Sequence, residues 1–242
     1  YDGPPLESLE LFTAKSGDEI VGQLYNFCDK GEDEISLRPE MTPTFARMVA
    51  ASERQYKKPI KWFSIPQLFR YERQQKGRKR EHFQLNADIV GESSPAADAE
   101  LIALLIDVLR EFGLSSDDFE IRLSSRTAWE DFYSGRGDAE RGYEFYQVID
   151  KLERVEPAKS DEKLKELGFS LTEVREFIDR AEPTGDLQVI LDDLAARNLM
   201  DFVRIDYNII RGLAYYTGPV FEAFDKKGKF RAIAGGGRYD HL

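Results

Sequence analysis

Residues 69–88, FRYERQQKGRKREHFQLNAD, decide how the rest of the chain is read. Six basic residues, Arg70, Arg73, Lys76, Arg78, Lys79 and Arg80, fall within eleven positions of a chain whose formal net charge is −11. Phe63, Ile65, Leu68 and Phe69 precede this cluster, and Phe83, Leu85, Ala87 and Ile89 follow it in strict alternation. That pattern predicts two strands joined by a loop over Gln74–Glu81. A basic hairpin tip suits phosphate, because the planar fork of arginine matches phosphate oxygens and Gly77 lets backbone approach a ligand. A merely solvated charged loop would use the same residues, so the surrounding segments must decide.

Working outward, the composition sets bounds. With 41% hydrophobic and 33% charged residues, the 242-residue chain has the makeup of a soluble globular protein with one large domain, or one domain and a subdomain. No apolar run approaches the roughly 18 residues of a membrane span, and no signal peptide opens the chain, so no membrane partner is expected. Cys28 is the one cysteine, which excludes an internal disulfide and points to a reducing, cytoplasmic compartment. Two histidines and that cysteine argue against a zinc site. The acidic balance argues against a general nucleic-acid coat, while Lys57, Lys58 and Lys61 extend the local basic patch.

The chain opens at Tyr1 without an initiator methionine, and the expectation is a piece of a longer protein. In LRPEMTPTFARMVA, residues 37–50, Thr42 and Pro43 read as N-cap and first position of a helix with a Phe45, Met48, Val49 stripe. Glu40 then lies just before a helix N-terminus. Ser94 and Pro95 start a second helix, with Leu101, Leu104, Leu105, Val108, Leu109 and Phe112 at helical spacing before Gly113. Phe119–Leu123 alternates as a strand. From 127 to 198 short amphipathic segments (Trp129–Tyr133, Tyr143–Val155, Asp161–Leu167, Leu171–Ala181, Leu187–Ala196) are separated by glycines and prolines, predicting a helical insertion. Alternation resumes over Val203–Ile209, followed by RGLAYYTGPVFEAF, a turn at Asp225–Lys229, and Phe230–Ala234 running into AGGGRYD. Neither a Walker loop nor a Rossmann glycine pattern occurs.

Four blocks in order carry a resemblance. Phe-Arg-x-Glu, a basic loop and Phe-Gln at 69–84 resemble motif 2 of class II aminoacyl-tRNA synthetases. Leu-Arg-Pro-Glu-x-Thr at 37–42, Arg-Gly-Leu-x-Tyr-Tyr-x-Gly at 211–218 and Ala-Gly-Gly-x-Arg-Tyr-Asp near 234–240 are similar to blocks of the histidyl-tRNA synthetase family. Pro4 and Glu7 resemble the tail of motif 1.

That resemblance implies an α+β fold, with a mostly antiparallel sheet carrying motif 2 and the 203–234 strands, flanked by the 42–55 and 95–112 helices. Residues 1–126 and 199–242 would form an incomplete catalytic core around the 127–198 insertion. It implies histidine, ATP as its Mg2+ complex and tRNA(His) as substrates, no permanent cofactor, and a homodimeric whole protein. Arg70 and Arg211 would stabilise the α-phosphate. Glu40, Met41, Thr42, Arg70, Gln84, Asp88, Arg211, Tyr215 and Tyr216 would bind histidine, its imidazole held by Tyr216 and Asp88. Glu72 and Arg78 would join Arg70 in binding ATP, and Gln75, Lys76 and Arg80 would meet the tRNA acceptor end.

Several positions depart from the family pattern. Asp88 stands where many members have Glu, Ala214 where an Asp is frequent, Gln74 where a Pro is usual, and His82-Phe83 reverses the common order. Motif 3 and the anticodon-binding domain are absent, so the chain as written is not expected to be active alone. The competing resemblance is a catalytically silent paralogue, the histidine-sensing regulatory subunit of ATP phosphoribosyltransferase. That paralogue tends to lose the Arg-Gly-Leu-x-Tyr-Tyr block, which is retained here.

Overall fold

A computed structural model describes residues 1–14, 18–73, 79–138, 141–210, 215–228 and 232–242. Contacts divide the chain into two compact units, one of Tyr1–Ser93 with Tyr215 and Leu242, the other of residues 94–210 and Tyr216–His241.

The first unit contains β1 (Leu6–Ser8), α1 (Leu9–Thr13), α2 (Asp18–Val21), β2 (Tyr25–Cys28), β3 (Glu34–Leu37), α3 (Thr42–Ser52), β4 (Ile60–Ser64), β5 (Gln67–Phe69), β6 (Glu81–Phe83) and β7 (Asn86–Val90). β1, β3 and β2 form an antiparallel sheet in that order. β4 pairs with β7 and β5 with β6, also antiparallel. These two pairs are one ladder, since facing residue numbers add to 150 from Ile60↔Val90 through Gln67↔Phe83 to Phe69↔Glu81. The break lies at Pro66, which has no N–H to give the ladder. Its carbonyl still accepts from Gln84 N at 3.2 Å, and Arg70 N donates to Arg80 O at 2.8 Å beyond β5. The hairpin stem thus runs from Ile60 to Arg70 and back from Arg80 to Val90, and residues 74–78 of the expected loop lie outside the described residues.

Period-two alternation gives this hairpin two unlike faces. Ile60, Ser64, Pro66, Leu68 and Asp88 are buried on one. Phe63 (63% exposed), Ile65 (60%), Phe83 (71%) and Leu85 lie exposed on the other. α3 lays Phe45 and Val49 on Ile60, with Tyr1, Trp62 and Val90 packed around them. Fully burying a side chain such as Phe45 contributes about 1.5–3 kcal/mol. The helix starts one residue earlier than the sequence suggests: Thr42 is already helical, Met41 occupies the cap without a side-chain cap bond, and Pro43 is the second residue. The first-turn N–H groups have no intrahelical partner, so Pro43 is tolerated there equally well.

The second unit contains α4 (Pro95–Glu111), β8 (Phe119–Ser125), α5 (Arg126–Tyr133), α6 (Gly142–Asp150), α7 (Pro157–Glu166), α8 (Leu171–Arg180), α9 (Gly185–Ala196), β9 (Val203–Ile205), β10 (Pro219–Asp225) and β11 (Ala234–Gly237). Its sheet has the order β11–β10–β8–β9, antiparallel except for β8 with β9. A single core joins α4 (Ile102, Ile106), the sheet (Phe119, Leu123, Phe221) and the helices (Trp129, Phe145, Leu164, Val174, Ile190). Trp129 is at its centre, its indole N–H donating to Tyr207 O at 3.1 Å. Ser170 and Glu173 form a reciprocal capping box on α8.

Antiparallel strands flanked by helices match the expected class, although among the described residues the pairing is divided between the β1–β3–β2 sheet, the long hairpin and the β11–β10–β8–β9 sheet. The Val203–Ile209 strand is shorter than its alternation suggests. Asp206 Oδ1 accepts from Asn208 N at 3.1 Å and from its side chain at 2.9 Å, turning the chain after Ile205 while Tyr207 and Ile209 stay buried. At the other end the glycine run 235–237 is itself strand, paired with β10. Of the expected Phe230–Ala234 strand, residues 230 and 231 lie outside the described residues, Ala232 and Ile233 are not strand, and Ala234 opens β11.

Candidate functional site

The segment after β3 is held to the hairpin by its own backbone and by two arginines. Phe69 N donates to Arg38 O at 3.0 Å, and Arg70 Nε donates to Pro39 O at 2.8 Å. Arg38 is buried, with Nε on Gln67 O at 3.0 Å and Nη1 donating to Gly3 O. The result fixes Glu40 between β3 and α3, where its carboxylate is buried. Tyr215 Oη donates to Glu40 Oε2 at 2.7 Å, whereas Glu40 Oε1 has no hydrogen-bond partner among the described residues. A buried carboxylate oxygen left unpaired is costly, and a donor-only cation such as an ammonium is the group that matches it.

Arg70 is partly exposed, with Nη1 at 4.0 Å from Glu72 Oε1. Glu72 N returns to Arg70 O at 2.9 Å, and Arg80 Nε donates to Glu72 O at 3.2 Å while stacking over the Tyr71 ring. Arg80 is therefore tied to the neck of the loop. Gln84 and Asp88 share the buried face of the hairpin; Gln84 Nε2 donates to Asn86 Oδ1 at 2.9 Å. Asp88 Oδ2 accepts from Tyr1 Oη at 3.4 Å. Burial, reinforced by the Asp88 carboxylate, pushes the Tyr1 hydroxyl well above its usual range, so Tyr1 remains a neutral donor.

Met41 is fully buried, its sulfur 3.9 Å from Arg38 Nη1, and Thr42 is half-buried at the start of α3. Tyr216, in the second unit, is 9% exposed. Arg211, Gln75, Lys76 and Arg78 lie outside the described residues, as do the departures at Gln74 and Ala214. Sequence reasoning missed Tyr1, which no motif or periodicity marks, and missed the packing role of Arg38, whose place in the Leu-Arg-Pro-Glu block was its one signal. It likewise missed the Arg238–Asp98 pair of the second unit, 2.5 Å apart, which ties the residue following β11 to α4. There burial raises the Asp98 pKa even against the guanidinium. Among the described residues no cluster of three or more histidine, cysteine or acidic side chains could hold a metal ion, and no helix is long and apolar enough to cross a membrane.

A family model for histidyl-tRNA synthetase matches residues 2–242. The chain belongs to the histidyl-tRNA synthetase family. It is 46% identical to a histidine–tRNA ligase of Opitutus terrae and 40% identical to one of Thermoplasma volcanium, in each case over its whole length. It spans about three-fifths of those curated relatives, 61% and 60%. Among solved structures, the histidyl-tRNA synthetase of Nostoc sp. superposes with a TM-score of 0.76 at 23% identity, over all of this chain and 61% of that one. A Bacillus halodurans protein described as an ATP phosphoribosyltransferase regulatory subunit/histidyl-tRNA synthetase superposes at 0.82 and 23% identity, over 99% of this chain and 67% of that one. At such identities these two establish the synthetase-family fold alone.

Proposed function

We propose that this chain carries the histidine-activating part of a histidine–tRNA ligase. The observation that supports it most directly is Glu40: a buried carboxylate, oriented by Tyr215 through one oxygen and unpaired at the other among the described residues. The α-ammonium of histidine would donate to that oxygen, with Thr42 and Gln84 as further partners and Met41 among the histidine-binding residues. Tyr216 and Asp88 would engage the two imidazole nitrogens, Asp88 sharing its carboxylate with Tyr1.

In the first step the carboxylate oxygen of histidine attacks the α-phosphorus of ATP and pyrophosphate leaves. In the second, a terminal ribose hydroxyl of tRNA(His) attacks the histidyl carbonyl and AMP leaves. Arg70 and Arg211 would meet the charge that develops at the α-phosphate, Glu72 and Arg78 would hold ATP, and Gln75, Lys76 and Arg80 would face the acceptor end. Both steps rest on positioning and on charge stabilisation, so no nucleophile from the protein is required. Mg2+ would enter with ATP. Residues 127–198 are read as a helical insertion into a core of 1–126 and 199–242, and the intact protein as a cytoplasmic homodimer.

Histidine-dependent exchange of pyrophosphate into ATP by the intact gene product tests this reading. Exchange that requires histidine supports it. Histidine binding without exchange would instead identify a histidine sensor.

A further inference from the structure

Tyr216 is positioned by the strand beside it. A Cβ added to Gly237 would lie 2.8 Å from Tyr216 Cδ1, 2.8 Å from Val220 Cγ1 and 2.9 Å from Pro219 O, all closer than side chains tolerate. Gly237 is paired in the sheet with Val220, and its requirement is for space beneath an aromatic ring.

The backbone around that ring is fixed from several sides. Thr217 N donates to Arg238 O at 2.8 Å, and Arg238 N donates to Pro219 O at 2.9 Å. Asp240 N returns to Thr217 Oγ1 at 3.2 Å. Arg126 N, at the start of α5, donates to Gly218 O at 2.9 Å. The Arg238 side chain is anchored by Asp98 Oδ2 at 2.5 Å and by Ser94 O at 3.0 Å. With Pro219 O and Val220 held in β10, an extra methyl at 237 displaces the Tyr216 ring first.

We infer that Gly237 is a specificity-determining positioning residue: by admitting the Tyr216 ring against β11, and with Arg238 locked to Asp98, it sets where the phenol hydroxyl meets the substrate side chain. This rests on the reading of Tyr216 as an imidazole partner. A polar contact misplaced by a fraction of an ångström discriminates less sharply, because the hydrogen bond that selects one side chain over another is weakened.

The test is pyrophosphate exchange on the intact gene product carrying Gly237→Ala, Tyr216→Phe, or both. Gly237→Ala should raise KM for histidine by about tenfold or more while changing KM for ATP less than about twofold. In the double variant the two effects should fail to add, because both act through one ring. If Gly237→Ala does not fold, Asp98→Asn, which loosens Arg238 without adding an atom to the sheet, should give the same split between the two KM values. A histidine KM near wild type, an equal rise in both KM values, or additive effects overturns the inference while leaving the wild-type activity in place. A wild-type protein without histidine-dependent exchange overturns the proposed function and this inference together.

Discussion

Tyr215 and Glu40, 175 residues apart in sequence, meet in a buried hydrogen bond of 2.7 Å from the phenol hydroxyl to Oε2. Tyr215→Phe removes that donor and leaves a buried carboxylate less well satisfied. The expected cost is about 1–3 kcal/mol of stability, together with a higher KM for histidine. Thermal melts beside exchange kinetics check both; no change in either would show that the bond contributes nothing.

Glu40→Gln keeps the shape and removes the charge that would face an ammonium. Losing a charge-assisted bond of about 1.5–3 kcal/mol corresponds to a rise in histidine KM of roughly tenfold to hundredfold, with ATP affinity little altered. An equal effect on both substrates would remove Glu40 from the amino-group site.

Arg211→Ala should slow adenylate formation by at least about a hundredfold, since its proposed role is to stabilise charge that develops in the transition state. Arg211→Lys should also be impaired, because an ammonium cannot bridge phosphate and carboxylate oxygens as a guanidinium does. Rapid-quench measurement of adenylate decides the matter. Near wild-type rates with a lowered Tm would make Arg211 a structural residue only.

Trp129→Ala empties the centre of the second unit's core and strands the Tyr207 carbonyl that the indole serves. Large-to-small changes at such sites cost about 3–5 kcal/mol, which urea unfolding would register. A cost below about 1 kcal/mol would mean the helices of 127–198 and the β8–β10 sheet do not share one core.

Asp118 caps the turn before β8: Ser115 N and Oγ donate to it at 3.1 and 2.9 Å, and Lys227 Nζ lies 3.1 Å away. These partners, the Ser115 backbone N–H foremost, lower its pKa from 3.8 to about 2. A carboxyl whose pKa is depressed on folding stabilises the protein above its unfolded value and loses that contribution as pH falls through the folded one. Asp118→Asn should therefore lower Tm at neutral pH, and the gap should close as pH falls from about 4 towards about 2. A gap that persists at the acid end would exclude the ionised carboxylate as its cause.

The sequence revealed the elements whose hydrophobic period is clean. α4 is nearly as long as its apolar spacing implies, and β8 and the hairpin strands lie where alternation placed them. It failed where a side chain competes with the backbone or where pairing is long-range. Val203–Ile209 alternates throughout, yet Asp206 turns the chain, and no local pattern separates those outcomes. Pro66 was visible as a proline, but its effect on the ladder depended on what lay opposite. Of the residues the motifs singled out, Asp88 lies on β7, Arg70 and Gln84 directly follow β5 and β6 along the hairpin that alternation predicted, and Glu40 falls between β3 and α3. Contacts such as Tyr1 with Asp88, or Arg238 with Asp98, join residues 87 and 140 positions apart and left no mark in either neighbourhood.

The constant pairing sum of the hairpin has an evolutionary consequence. One residue gained or lost within Ile60–Arg70 or Arg80–Val90 would turn every later side chain of that strand to the opposite face, carrying Arg70 on one arm or Gln84 and Asp88 on the other out of position. An insertion between Arg70 and Arg80 would instead leave the stem in phase. A loop proposed to meet the acceptor end could therefore change length by itself, while the face proposed to bind the amino acid keeps a strict reading frame of two.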